Sequence, residues 1–309
     1  MRPRDRELGL RLDTTLQSFS KKKRSLPGIQ EPAARGAFIE QLLESIHRVR
    51  FVGALRGRNL SPLRADPQSD LFDPLKAAIL HQRQGNNEEA FWLVFLFVHF
   101  GHHLRAGWRY AREVYGKING PDRWDWMSTS AHPTEFRAWL HDHQADLKAD
   151  GRPRGFGNHR KYESLEAYGP NGTGAAVETY VNWVNPPRTH EELMNRTLHA
   201  AGGNSKTAFD ILYHSMESVA RFGRTARFDY LTMIGKLKLA LIEPPSTYMA
   251  GATGPVRGAR LLFGTGESPV TLDQWLVELD ADLQVGMQVL EDSLCNWQKS
   301  PEVFVPFRG

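Results

Sequence analysis

The chain has 309 residues, 40% of them hydrophobic and 24% charged, with a net charge of +4. That apolar fraction and eight tryptophans supply a packed core and exclude wholesale disorder. The longest apolar run, Phe91 to Val98, is too short to span a bilayer, and no apolar stretch follows the basic N-terminus as in a secretory signal. With a single cysteine there is no internal disulfide framework, and the expected setting is the cytoplasm, without a membrane partner.

Charge is unevenly placed. Residues 1–24 hold eight Lys/Arg against three acids, which predicts a flexible basic arm over residues 1–28, suited to a polyanion or simply solvated. Residues 29–309 read as one all-α domain. Over 34–57 the spacing of Phe38, Leu42, Ile46, Val49 and Leu55 predicts an amphipathic helix, followed by a Pro- and Asp-rich loop from Leu60 to Phe72. Helices follow near 74–84 and over 88–118, the second apolar on all sides at its start and stopped by Gly116. A short helix near 133–148 precedes a long Gly/Arg/Lys-rich loop over 150–173. Thr189 with Glu192 forms a capping box for a helix to about Ala201, and Asn204 caps the next, to about Phe222. Arg224 to Leu241 continues helical until Pro244-Pro245. Thr271 with Gln274 opens a final long helix to about Lys299.

Two Gly/Arg segments stand out in the last third: Phe222-Gly223-Arg224-Thr225-Ala226-Arg227-Phe228-Asp229-Tyr230, and Gly251 to Arg260 with Gly254-Pro255-Val256-Arg257-Gly258 at its centre. Glycine admits close backbone approach, amides at a helix start bind anions, and arginine adds a planar fork suited to phosphate. The order helix, Gly turn, helix, Gly-Pro hairpin is similar to helix-hairpin-helix DNA glycosylases; the plainer alternative makes Gly223, Gly254 and Gly258 caps and packing points. Glu291, Cys295 and Lys299 fall at i, i+4 and i+8, on one helical face. They make either a surface ladder or a half-buried wall with one acid and one base. Gly155 to Glu163 sets His159, Arg160, Lys161 and Tyr162 behind two glycines, as a solvated loop or a mobile cationic one that closes over a ligand. His99 and His103 have i, i+4 spacing but lack an acidic or cysteine third ligand nearby, so a structural or phosphate-facing role is expected rather than a metal. Arg105, Arg109 and Arg112 fit one solvated helix face. No P-loop, dinucleotide fingerprint or nucleophile elbow is present.

These pieces, in order, resemble the alpha-glutamyl/putrescinyl thymine pyrophosphorylases, amino acid:DNA transferases, and most closely their third clade. The matching stretches are Phe97-Val98-His99-Phe100-Gly101, Gly107-Trp108-Arg109, Val114-Tyr115-Gly116, Gly155 to Glu163, the two Gly/Arg segments, and Glu291 to Lys299. The resemblance runs from about residue 30 to the C-terminus, with weaker similarity to the helical domain of hydroxymethyluracil DNA kinases. It implies transfer of an amino acid or amine onto pyrophosphorylated 5-hydroxymethyluracil in DNA, with pyrophosphate released. The partners implied are DNA carrying a modified pyrimidine, a free amino acid or amine, and a hydroxymethyluracil DNA kinase acting beforehand. No metal or organic cofactor is implied, magnesium accompanying the pyrophosphate apart. Pyrophosphate contacts are expected from Arg224, Arg227, Arg257 and Lys299, with Gly254 and Gly258 shaping the backbone and Arg160 and Lys161 closing. Glu291 is expected to handle the amine, with Asp229 as second carboxylate. Related clades carry Glu after the cysteine, where this chain has Asn296 and Trp297, so the alternatives are a glycosylase-like protein that binds a modified base without transfer, or a purely structural helical module.

Overall fold

In the computed structural model, residues 3–184 and 189–306 are described; Arg2, counted in the basic arm, lies outside them. The chain is all-α, with fourteen α-helices and no strand among the described residues. In chain order these begin with α1 (Arg6–Lys22) and α2 (Pro32–Leu55), then α3 (Pro74–Arg83), α4 (Asn87–Phe100) and α5 (Arg109–Tyr115). Next come α6 (Trp126–Ala131), α7 (Pro133–Asp142), α8 (Thr173–Val184), α9 (His190–Ala200), α10 (Ser205–Ser215) and α11 (Arg224–Lys236). The last are α12 (Gly254–Phe263), α13 (Pro269–Leu283) and α14 (Met287–Trp297). They form two compact units: a terminal unit from the described residues of Met1–Ala54 and Pro244–Arg308, and a central unit, Leu55–Glu243.

The basic N-terminus is not a flexible arm. Leu12, Leu16 and Phe19 recur at helical spacing on α1 and are buried in the terminal unit's core with Phe38, Leu42, Leu276 and Leu290. Its basic end is held as well. Lys23 pairs with Asp282 at 2.7 Å, and Arg24 pairs with Glu278 at 2.9 Å while lying 4.0 Å over the Trp275 ring. The excess of charge over residues 1–24 conceals this apolar stripe.

In the central unit α4 is the axis, with Glu89 to Leu96 and Val98 to Phe100 buried. Asn86 caps its start by accepting the Glu89 amide, and Gly101, at φ 64°, ends it. The expected 88–118 helix is therefore two helices. The turn between them is closed by His103 and Gly107, whose amides donate to each other's carbonyls at 3.0 and 2.8 Å. The expected 271–299 helix is also two, because Gln284 at φ 54° and Gly286 at φ 92° break the spiral. Ser268, rather than Thr271, caps α13 by accepting the Thr271 amide. α10 stops at Ser215 and α11 at Lys236, short of the expected Phe222 and Leu241.

Candidate functional site

Three of the singled-out stretches meet in the central unit: the end of α4, the loop over 155–163, and the turn before α11. The Gly157 amide donates to Phe100 O at 2.8 Å, and a Cβ on Gly157 would stand 2.8 Å from Gly101 C and His102 N. Only glycine permits that approach. Arg160 then clamps the loop, its Nε donating to His99 O at 3.2 Å and its Nη2 to Arg221 O at 3.0 Å, 5.5 Å over the Phe222 ring. Arg221 Nε donates to Glu163 at 2.7 Å, and Arg160 lies 3.6 Å from the same carboxylate. Burial pulls the Arg160 pKa down from its ordinary value while Glu163 and then Asp229 push it back, so Asp229 on α11 stands within electrostatic reach. A guanidinium stays charged through such shifts.

His99 anchors this cluster from beneath. Thr173 Oγ1 donates to Ser164 O at 2.7 Å, so it accepts from His99 Nε2 at 2.9 Å, which places the ring proton on Nε2. Burial first, then Arg160 and Arg221, drive the His99 pKa well below 6.5 and keep the ring neutral. Its ring lies parallel to Phe95 at 5.7 Å and to Phe222 at 6.5 Å.

The cationic loop differs from a freely closing one in that Arg160 fastens its base. Lys161 and Tyr162 are exposed at its tip, with the ammonium 5.0 Å from the Tyr162 ring. On α11, Arg224 is half-buried with its guanidinium 5.4 Å from the Phe228 ring, and Asp229 is exposed. Arg227 takes part in the fold: it lies 4.4 Å over Tyr213 and donates to Tyr213 O at 3.1 Å and Glu217 at 2.7 Å. His103 is likewise engaged, Nδ1 accepting the Arg105 and Ala106 amides. Among the described residues no group of three His, Cys, Asp or Glu is placed to hold a metal.

The terminal unit carries the other expected residues. The Gly-Pro segment is no hairpin but the start of α12, and its glycines set that helix against α14. A Cβ on Gly254 would stand 2.8 Å from Cys295 Sγ, and one on Gly258 only 2.4 Å from Leu294 O. Gly258 lies inside the helix, where its amide joins the helical ladder rather than pointing to a ligand. Arg257 is exposed on α12. Glu291 and Cys295 are half-buried on α14, but the helix ends at Trp297, so Lys299 lies beyond it, exposed, with Nζ 3.0 Å from Asn296 Oδ1. The expected three-residue ladder is thus a pair followed by a turn. Arg160, Lys161, Arg224, Arg227 and Asp229 belong to the central unit; Gly254, Arg257, Gly258, Glu291 and Lys299 belong to the terminal one.

Sequence reasoning missed a buried polar chain through the central unit. Glu88 accepts from His190 Nδ1 at 2.8 Å, His190 Nε2 accepts from Tyr180 at 2.6 Å, and the Tyr180 and Tyr230 hydroxyls are 2.8 Å apart. Burial lowers the His190 pKa, which keeps it neutral, and Glu88 also receives the His190 and Glu191 amides at the start of α9. The four residues are scattered over the sequence, and no local spacing joins them.

The profile of the alpha-glutamyl/putrescinyl thymine pyrophosphorylase clade 3 family matches residues 33–309. No curated protein and no solved structure matches the chain significantly. The stretches gathered around Arg160 all fall inside the matched region, which leaves out only the first 32 residues, and the chain belongs to the alpha-glutamyl/putrescinyl thymine pyrophosphorylase family, clade 3.

Proposed function

We propose that the protein is a transferase that hypermodifies thymine-like bases in DNA. An amine, typically of a free amino acid, attacks the exocyclic methylene carbon of pyrophosphorylated 5-hydroxymethyluracil. A C–N bond forms, the C–O bond breaks, pyrophosphate leaves with the bonding pair, and the amine's surplus proton passes to a base. The observation that carries this reading is the family match over residues 33–309.

The chemistry asks for fixed cations at the departing pyrophosphate, a carboxylate for the amine, and a base outside the duplex stack. Two sets of cations are proposed, each within its own unit: exposed Lys161 and half-buried Arg224 in the central unit, and exposed Arg257 and Lys299 in the terminal unit. Arg160 and Arg227, tied into the fold, act as positioning residues. Glu291, in the terminal unit with Arg257 and Lys299, is proposed to orient or deprotonate the amine, with Asp229, in the central unit with Lys161 and Arg224, as second candidate. A hydroxymethyluracil DNA kinase would supply the pyrophosphorylated base, and any magnesium would arrive with the pyrophosphate.

The test incubates the protein with pyrophosphorylated 5-hydroxymethyluracil DNA and pooled amino acids. Pyrophosphate release together with a new, heavier nucleoside by mass spectrometry is the expected result. Binding of the modified DNA with no release above the protein-free control would sink the transferase and leave the binding-only alternative.

A further inference from the structure

The central unit holds a basic concavity, a cleft of about 470 Å³ whose lining includes none of Arg160, Lys161 and Arg224. Arg109 and Arg112 enter it from α5, Arg64 from the turn before α3, Lys76 from α3 itself, and Arg152 from the loop after α7. Asp70 and Asp73 are the acids of the lining, Asp73 pairing with Lys76, and Glu113 and Asp150 beside it pair with Arg109, so the lining keeps a modest surplus of positive charge. The cations are held in advance. Arg109 Nε donates to Glu113, itself buried, at 2.7 Å and the same guanidinium pairs with Asp150. One wall is aromatic: the Trp108 and His102 rings meet edge to face at 5.2 Å on the turn that His103 and Gly107 close.

Asp70 shows what this cleft accepts. Its side chain is 95% exposed, yet its carboxylate is bound by Arg112. Its pKa is held below the usual range by Arg112 first, with Arg152 and Arg109 adding to it. An anion therefore already sits where three guanidinium fields converge, and it is a replaceable one, since the Asp70 side of the pair lies almost wholly in solvent although Arg112 is half-buried. Arg112 Nε is buried with no partner among the described residues, leaving the cation incompletely satisfied by Asp70.

We propose that this cleft is a track for single-stranded DNA: a phosphodiester takes the place of Asp70 on Arg112, Arg109 and Arg152, and a base lies against Trp108 and His102. Guanidinium forks match phosphate, and bases stack on aromatic rings with little regard to sequence. The assignment rests on the reading that DNA is the substrate, and it gives the strand a place apart from the Arg160 cluster.

The test measures binding of a short, unmodified single-stranded oligonucleotide to the full chain by fluorescence anisotropy across a salt series. Asp70→Asn removes the competing carboxylate and should tighten binding several-fold. Glu192→Gln on α9, which removes the same charge elsewhere, should not. Arg152→Ala should weaken binding several-fold and flatten the log–log salt slope by about 0.7 per lost phosphate contact. An abasic strand of equal length should bind about fivefold or more weaker, as expected when a base loses an aromatic platform. Asp70→Asn behaving like Glu192→Gln, or Arg152→Ala keeping the full slope, overturns the track. Equal binding of abasic and normal strands, with inorganic pyrophosphate competing, makes the cleft a phosphate site only and also overturns it. Pyrophosphate release by the wild type is assayed in parallel. Release with unaltered variant affinities sinks the cleft alone, whereas absence of release leaves the oligonucleotide data to judge the cleft.

Discussion

At the scale of single residues, Glu89 gives the clearest pH signature. Burial raises its pKa from 4.5 to about 7, offset in part by the Trp126 amide and the Tyr115 hydroxyl that donate to it. The folded protein therefore binds this proton more tightly than the unfolded chain. The stability so gained is full below about 4.5 and is lost as pH rises through about 7, each pH unit between those values removing about 1.4 kcal/mol at most. Neutral His99 and His190 work in the opposite sense, costing stability as pH falls below 6.5, so the Glu89 contribution must be isolated by difference. Glu89→Gln should gain thermal midpoint relative to wild type between pH 5 and pH 8, and a constant difference would show that Glu89 is ionised throughout. Arg257→Ala and Glu291→Gln probe the proposed reaction. Arg257 is exposed, so its loss should abolish pyrophosphate release with the thermal midpoint nearly unchanged, while Glu291→Gln should keep DNA binding and lose transfer. Release at the wild-type rate in either variant would remove that residue from the mechanism.

At the scale of elements, the contact of α12 with α14 depends on a missing side chain. A Cβ at position 258 would meet Leu294 O at 2.4 Å, and backbone cannot rotate away. Gly258→Ala gains about 1 kcal/mol of helix propensity, but overpacking costs typically about 1–3 kcal/mol, so net destabilisation is expected. A raised urea midpoint would show that the helices part easily. This is also where the sequence misled. A Gly-Pro-Val-Arg-Gly segment has the composition of a phosphate-binding hairpin, and its role in helix packing is set by a partner some forty residues away in sequence. The same holds for the long-helix expectations. Apolar periodicity continues past Gly101 and past Gln284, and only the reversed backbone at those positions divides the helices.

At the scale of the molecule, α1 belongs to a core. Deleting residues 1–24 would strip Leu12, Leu16 and Phe19 from that core, where α1 packs against α13. The truncated protein should express poorly or melt at much lower temperature, rather than lose only its salt-dependent DNA affinity. Phe95→Asp should do the same to the central unit, since Phe95 is fully buried among Tyr180, Trp92 and Phe222 and an unpaired charge there has no partner. Cooperative melting of either variant at the wild-type midpoint would show that its core has been misread.

The all-α class, most helix starts and the family were legible along the chain, because apolar periodicity, caps and ordered motifs are local. Asn204 caps the helix start where it was expected, and the family match covers residues 33–309. Which cations remain at the surface was settled by packing alone. Arg160, Arg227 and Arg109 look in sequence like Lys161, Arg257 and Arg152, yet the first three are committed to carbonyls and carboxylates from other segments or turns. The difference lies in which oxygen each guanidinium meets once the helices are assembled, and the neighbours of an arginine along the chain do not encode that.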